Sequence, residues 1–154
     1  MPSRFIITLN AVALCLATAM ANAESRYPTQ YQQLRGMLFS SVPTTVIFSP
    51  NQCRHDQQEQ VETMASSVSG GMVIRDFLEI GGNTIAFSNA HFTIRPNGMS
   101  VLEFIQYRVM HNDSSTVTVR ALSPVTYQPI AQAQIFHCTL GSGLDFSFAS
   151  ARHE

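Results

Sequence analysis

The sequence predicts a mainly β protein, an antiparallel meander or partly closed barrel with a short N-terminal helix packed on it. Three observations carry this. From Gly71 onward the apolar residues alternate with a period of two. The alternating runs are separated by short turn signals, Gly81-Gly82-Asn83, Pro96-Asn97-Gly98 and Asn112 to Ser115. Only one segment, residues 27–41, has clear helical spacing, with Tyr31, Leu34, Met37 and Leu38 on one stripe and Pro28 at its start.

The elements are expected in the following order. The helix spans 27–41. A short β-branched strand, "TTVIFS", occupies 44–49. Residues 54–71 are polar and read as a loop, with a helical turn around Gln57–Met64. Strands then follow at 72–80, 84–88, 91–95, 100–111, 116–122 and 128–140, with a bend at Asn89 and a corner at 123–127. A sheet of this kind curls on itself or covers one face, and the helix at 27–41 is the expected cover.

Upstream of the helix, "MPSRFIITLNAVALCLATAMANAES" has one basic residue, Arg4, an apolar run to about Met20, and small residues at Ala21 and Ala23. This is the three-part pattern of a secretory signal peptide, so residues 1–23 are expected to be cleaved and 24–154 to form one domain. The apolar run is interrupted by Asn10 and lies near the roughly 17-residue minimum for crossing a bilayer, so no stable membrane insertion is expected after cleavage. Leu14 precedes Cys15 where lipid attachment requires a small residue.

In residues 24–154, eight arginines face ten acids and there is no lysine, giving a net charge near −2. That excludes the basic footprint of a nucleic-acid binder and a polybasic membrane patch. Tryptophan is absent, so any apolar site must be lined by Phe, Tyr, Met, Leu and Ile.

Two cysteines remain, Cys53 and Cys138. In an oxidising compartment a pair of this kind is expected to bridge, contributing about 4–5 kcal/mol by loop-closure arithmetic. The alternatives are free buried thiols or a zinc site. His55 and His137 lie beside the two cysteines, but neither spacing is that of a zinc motif.

The chemistry-bearing residues sit on the strands. Arg75 and Asp76 are adjacent in an apolar run, and His91 follows. On 100–111, Val101, Glu103, Ile105, Tyr107 and Val109 share one side, and Leu102, Phe104, Gln106, Arg108 and Met110 the other. Charge therefore appears on both faces. Cross-strand pairs such as Asp76 with Arg108 or Arg75 with Glu103 would satisfy it, since unpaired buried charge is costly. The other reading is a charged pocket in a partly closed barrel, with Arg75, Asp76, His91, Glu103, Tyr107 and Arg108 as ligand-binding candidates. His91 is a general base or ligand contact in the functional reading, and a strand-bonded imidazole otherwise. His55, His111 and His153 read as surface residues.

No Gly-x-Ser-x-Gly elbow, His-Glu-x-x-His, P-loop or Gly-x-Gly-x-x-Gly occurs, and "LGSGL" at 140–144 lacks the phosphate-loop spacing and its Lys. No catalytic residue, cofactor or metal is assigned on this basis.

Taken together, several pieces resemble the VirK family of exported, virulence-associated proteins. They are the Gly-Gly before a strand, Ile74-Arg75-Asp76-Phe77, Ile85-Ala86-Phe87-Ser88 with His91-Phe92-Thr93, Tyr107-Arg108-Val109, Leu122-Ser123-Pro124 with Tyr127, and Cys138 ahead of Leu140-Gly141. The resemblance covers roughly residues 30–146 and implies export, periplasmic or secreted, with a role in virulence or host contact. It implies no reaction and no catalytic residue. Three functions follow as expectations. The first is a non-enzymatic module binding a protein or small ligand outside the cytoplasm. The second is a hydrolase-like enzyme using His91 with Asp76 or Glu103. The third is a periplasmic assembly or structural factor binding through an edge strand.

Overall fold

The computed structural model describes residues 28–56 and 69–149. The expected signal peptide, the helical turn at Gln57–Met64 and His153 lie outside the described residues.

Helix α1 runs from Gln30 to Phe39. Thr29 caps it: its hydroxyl accepts from the Gln32 backbone N–H at 3.2 Å, and the Gln32 side chain accepts from the Thr29 N–H at 3.0 Å. Tyr31, Leu34 and Leu38 form its buried stripe, at the spacing the sequence predicts.

Among the described residues, nine strands follow. They are β1 (Thr44–Phe48), β2 (Arg54–His55), β3 (Gly70–Val73), β4 (Leu78–Ile80), β5 (Thr84–Ile94), β6 (Ser100–Met110), β7 (Ser114–Leu122), β8 (Gln134–Leu140) and β9 (Gly143–Phe148). They form a single sheet in the order β3-β1-β9-β8-β7-β6-β5-β4, with β2 paired to β8. The run β4 to β8 is the antiparallel meander the sequence predicts.

The two ends of that order dictate its shape. β3 and β4 stand at opposite ends of the sheet, yet only residues 74–77 separate them in sequence. Four residues and their flanking bonds reach at most about 17 Å. A flat sheet of eight strands would place its end strands about 34 Å apart. The sheet therefore curls into an open half-barrel. The Ile74 backbone N–H donates to the Thr44 carbonyl at 2.8 Å, holding the linker against β1.

α1 lies on the concave side, at one end of the strands. The Asp113 carboxylate, in the β6–β7 turn, accepts from the Tyr31 backbone N–H at 2.8 Å. The Gln30 side chain donates to the Leu140 carbonyl at 3.1 Å. Arg35 pairs with Glu79 on β4 at 2.6 Å, and this guanidinium holds the Glu79 carboxyl below its ordinary range. Beneath the helix lies the core, with Leu34, Val46, Ile85, Val109, Val117 and Leu144 fully buried.

Cys53 and Cys138 form a disulfide with Cα atoms 4.5 Å apart, tying the chain around β2 to β8. Beside it the chain turns sharply from β8 into β9. Gly143 occupies this corner at φ 87°, where a Cβ would collide with the Cys53 sulfur. The corner is fastened by the Gly143 N–H donating to the Gln52 side chain at 3.1 Å, and by the Ser49 N–H donating to the Gly143 carbonyl at 2.9 Å.

Several sequence expectations are corrected. The strand expected at 72–80 is two strands, because the chain leaves β1 at Ile74 and rejoins the sheet only at Leu78, on the far side. The bend expected at Asn89 is absent: β5 pairs without interruption with β6 from Thr84↔Met110 to Ile94↔Ser100. Of the strand expected at 128–140 only 134–140 forms. Before it, Pro129 bridges back to Leu122, and the Ile130 N–H donates to the Ala121 carbonyl. Strand β9 is an addition, although "LDFSF" does alternate.

Candidate functional site

The concave face is covered by α1 at one end and open at the other. The open end holds a cavity of about 330 Å³. Its walls come from inward-facing positions of six strands, including Phe48 of β1, Met72 of β3, Ile105 of β6, Val119 of β7 and Phe136 of β8. β3 contributes Gly70 and Gly71 to the wall. Gly71 is required there because a Cβ would come within 2.9 Å of the Val46 carbonyl oxygen.

Tyr107 forms part of the aromatic floor. It is 4% exposed, and burial pushes its hydroxyl up to about 12. Its ring stacks on Phe87 with centroids 4.8 Å apart and meets Phe48 edge-on at 6.2 Å. Phe48 in turn meets Phe136 edge-on at 5.3 Å. Offset-stacked and edge-to-face pairs of this kind add roughly 0.5–1.5 kcal/mol each beyond burial, so the floor is rigid rather than collapsible.

Against this apolar floor stands one polar pair. His91 on β5 and Glu103 on β6 are directly opposed in the ladder, and His91 Nε2 lies 3.0 Å from Glu103 Oε2. Both are partly solvent-exposed, at 45% and 30% of their side chains. The amides of Asn89 and Gln134 complete the polar lining. Among the described residues Glu103 brings the lining's one carboxylate, and no arginine contributes to it.

The structure therefore divides the six ligand-binding candidates. His91, Glu103 and Tyr107 come together in the cavity. Arg75 and Asp76 do not. They lie in the linker between β3 and β4 and line a separate cleft, of about 470 Å³, with Val73 and Ser88. Met72 and Asn89 are common to cavity and cleft and form the wall between them. Arg108 is exposed on the convex face, opposite in ladder parity to Tyr107. Among the described residues neither expected ion pair forms: Glu103 is taken by His91, and Asp76 and Arg108 do not meet. The reason is the break at 74–77, which removes Arg75 and Asp76 from the ladder in which those pairings were counted.

His55 is also corrected. It is half-buried, with its ring 4.7 Å from that of Phe136, whereas His111 is exposed as expected. His137 pairs with Asp56 at 3.1 Å. Among the described residues no group of three or more His, Cys, Asp or Glu could hold a metal ion, and no helix is long and apolar enough to cross a membrane.

Sequence reasoning missed Phe48, Met72, Asn89, Val119, Gln134 and Phe136 as cavity residues. Each is one member of an alternating strand, and period two gives its parity. Only the curl brings β1, β3 and β8 across from β5 and β6.

Because Arg75 and Asp76 lock no strand pairing, their removal has a small expected effect. Arg75→Ala and Asp76→Ala should each change stability by less than about 0.5 kcal/mol, a Tm shift of about 2 °C or less. Thermal unfolding of the two variants checks this.

Comparison with known proteins agrees with the architecture. The family model described as "VirK protein" matches residues 27–127. An uncharacterized protein of Sinorhizobium fredii, y4wH, is 25% identical over 141 residues, covering 92% of this chain and 94% of its own. An uncharacterized Rhizobium radiobacter protein, from the pinF2 3′ region, is 29% identical over 85 residues, covering 55% of this chain and 59% of its own. The crystal structure of lpg1832, a VirK family protein from Legionella pneumophila, superposes with a TM-score of 0.66 at 15% identity, over 76% of this chain and 94% of that one. That likeness is one of fold. The family model spans more than half of the chain, from α1 through β7, and the chain belongs to the VirK family.

Proposed function

We propose that this protein is an exported, non-enzymatic binding module that holds a small, largely apolar ligand in the concave cavity. The observation that carries the reading is the composition of the cavity: an aromatic floor, a few convergent polar groups and, among the described residues, no nucleophile. A cavity of about 330 Å³ is at the small end of the usual ligand-site range. Among the described residues its lining has no serine, threonine, cysteine or lysine, and the hydroxyl of Tyr107 is held protonated by burial. His91 with Glu103 has the reach of a base and its orienter, but among the described lining residues no side-chain nucleophile stands beside it. Asp76, the other partner weighed for His91, lies in the separate cleft.

Export rests on the signal-like N-terminus and agrees with the disulfide, which is the state expected in an oxidising compartment. Mass spectrometry of the mature protein should then find it starting at Glu24.

The test of binding is an NMR fragment screen on the oxidised protein, repeated on Val119→Trp, which fills the cavity. Hits should shift resonances of Phe48, Ile105, Tyr107 and Phe136 in the native protein and lose that effect in the variant. A screen whose hits all bind elsewhere removes the reading, and chemical turnover of a hit replaces it with the enzyme reading.

A second reading, assembly through an edge strand, has one specific support. β4 pairs only with Thr84–Ala86, so the corresponding edge of β5 from Ser88 to Ile94 has no strand partner among the described residues. Val119→Trp separates the two readings, since it blocks the cavity and leaves that edge untouched.

A further inference from the structure

The cavity also states what charge its ligand should carry. We infer that it selects an organic ammonium: a small molecule with an apolar body and a single protonated amine. This rests on the binding reading above and names the ligand class of the same site.

Glu103 brings a carboxylate into a largely apolar wall, on the same strand face as Ile105 and Tyr107. His91 engages Oε2 at 3.0 Å, which leaves Oε1 to accept from a ligand. An ammonium there gains a charge-assisted hydrogen bond, shorter and roughly twice as strong as a neutral one. The amide oxygens of Asn89 and Gln134 offer further acceptors, since the orientation of each amide adjusts to its donor. The aromatic walls of Phe48, Tyr107 and Phe136 take the apolar body of such a ligand.

An anionic head fares worse on each count. It meets the Glu103 carboxylate with like charge, and among the described residues no arginine lines the cavity to offset it. Arg75 lines the cleft beyond the Met72–Asn89 wall, and Arg108 lies on the convex face.

The test uses three probes of equal chain length and different head charge: hexylammonium, hexanoate and 1-hexanol. Each is titrated by NMR into the full chain with the Cys53–Cys138 bridge intact. Hexylammonium should bind about tenfold more tightly than hexanoate, with 1-hexanol between them. Glu103→Gln should bring the three within about twofold of one another. Gln134→Lys, at an exposed position on the cavity rim, should reverse the order by adding an ammonium of its own. Unfolding curves confirm that each variant is folded, and the two substitutions act at different positions, so the result does not depend on either alone. Hexanoate binding as tightly as hexylammonium in the native protein, or a preference that survives Glu103→Gln, overturns the ammonium inference and leaves the cavity reading standing. If none of the three probes moves a cavity resonance, both fall.

Discussion

Replacing both Cys53 and Cys138 with alanine is expected to lower the unfolding free energy by about 4.5 kcal/mol, the largest single effect in this protein. The bridge spans 85 residues of sequence, and loop-closure entropy at that length gives this figure. Its position adds to the consequence. The disulfide closes the corner where β8 turns into β9, with Gly143 against the Cys53 sulfur and Gln52 accepting from the Gly143 N–H. β9 in turn is the strand that joins β8 to β1, and so links the meander to β1 and β3. Without the bridge, this junction should loosen before the meander does. The expected Tm drop is roughly 15 °C for a domain of this size. Denaturant unfolding of the double variant, compared with the oxidised parent, measures it. Equal midpoints would mean that the contacts around Gly143 hold the junction unaided. The double substitution is preferable to a single one, which would leave a reactive thiol.

The second large effect belongs to Leu34→Ala, expected to cost about 3–4 kcal/mol. Leu34 is fully buried and sits in the middle of the α1 stripe between Tyr31 and Leu38. It packs in the same cluster as Val46, Ile85, Val109 and Val117 from the sheet. Truncation leaves a cavity where helix meets sheet, and the surrounding side chains cannot collapse into it because Gln30, Tyr31 and Arg35 fasten α1 to Leu140, Asp113 and Glu79. Gln33→Ala, exposed on the same helix, should change stability by less than about 0.5 kcal/mol. Thermal unfolding followed by circular dichroism distinguishes the two. A loss for Leu34→Ala no greater than that of Gln33→Ala would show that the helix is not part of the core.

Much of this was legible in the residues. The period-two runs and their turn signals gave the meander from β5 to β7, because hairpin pairing is local and each strand is bounded by its own Gly, Asn or Asp turn. The face assignment along β6 was legible too. Val101, Tyr107 and Val109 are buried, and Glu103 and Ile105 share their side. The helix was visible in Tyr31, Leu34 and Leu38. The capping box of Thr29 and Gln32 was equally present in the letters, one position beyond Pro28, and marks the helix start more sharply than the proline does.

Other features were not local. Arg75 and Asp76 look like strand residues because Met72 to Ile80 alternates well enough, and nothing in those nine letters tells that the first part pairs with β1 and the last with β5. The cavity could not be read for the same reason. The opposition of His91 to Glu103 depends on the register of one hairpin, but Phe48, Gln134 and Phe136 approach them only after the sheet has curled.

The sequence by itself determined the β-rich class, the amphipathic helix, the two cysteines available for bridging and the low, slightly acidic charge. Each of these is a property of near neighbours along the chain or of composition. The tertiary structure alone decided the curl, the split of 72–80, the half-covered concave face and the separation of Arg75 and Asp76 from His91 and Glu103. Those follow from one long-range constraint: the two end strands of the sheet are only four residues apart in the chain, so the sheet must curl until that short linker can span the gap between them.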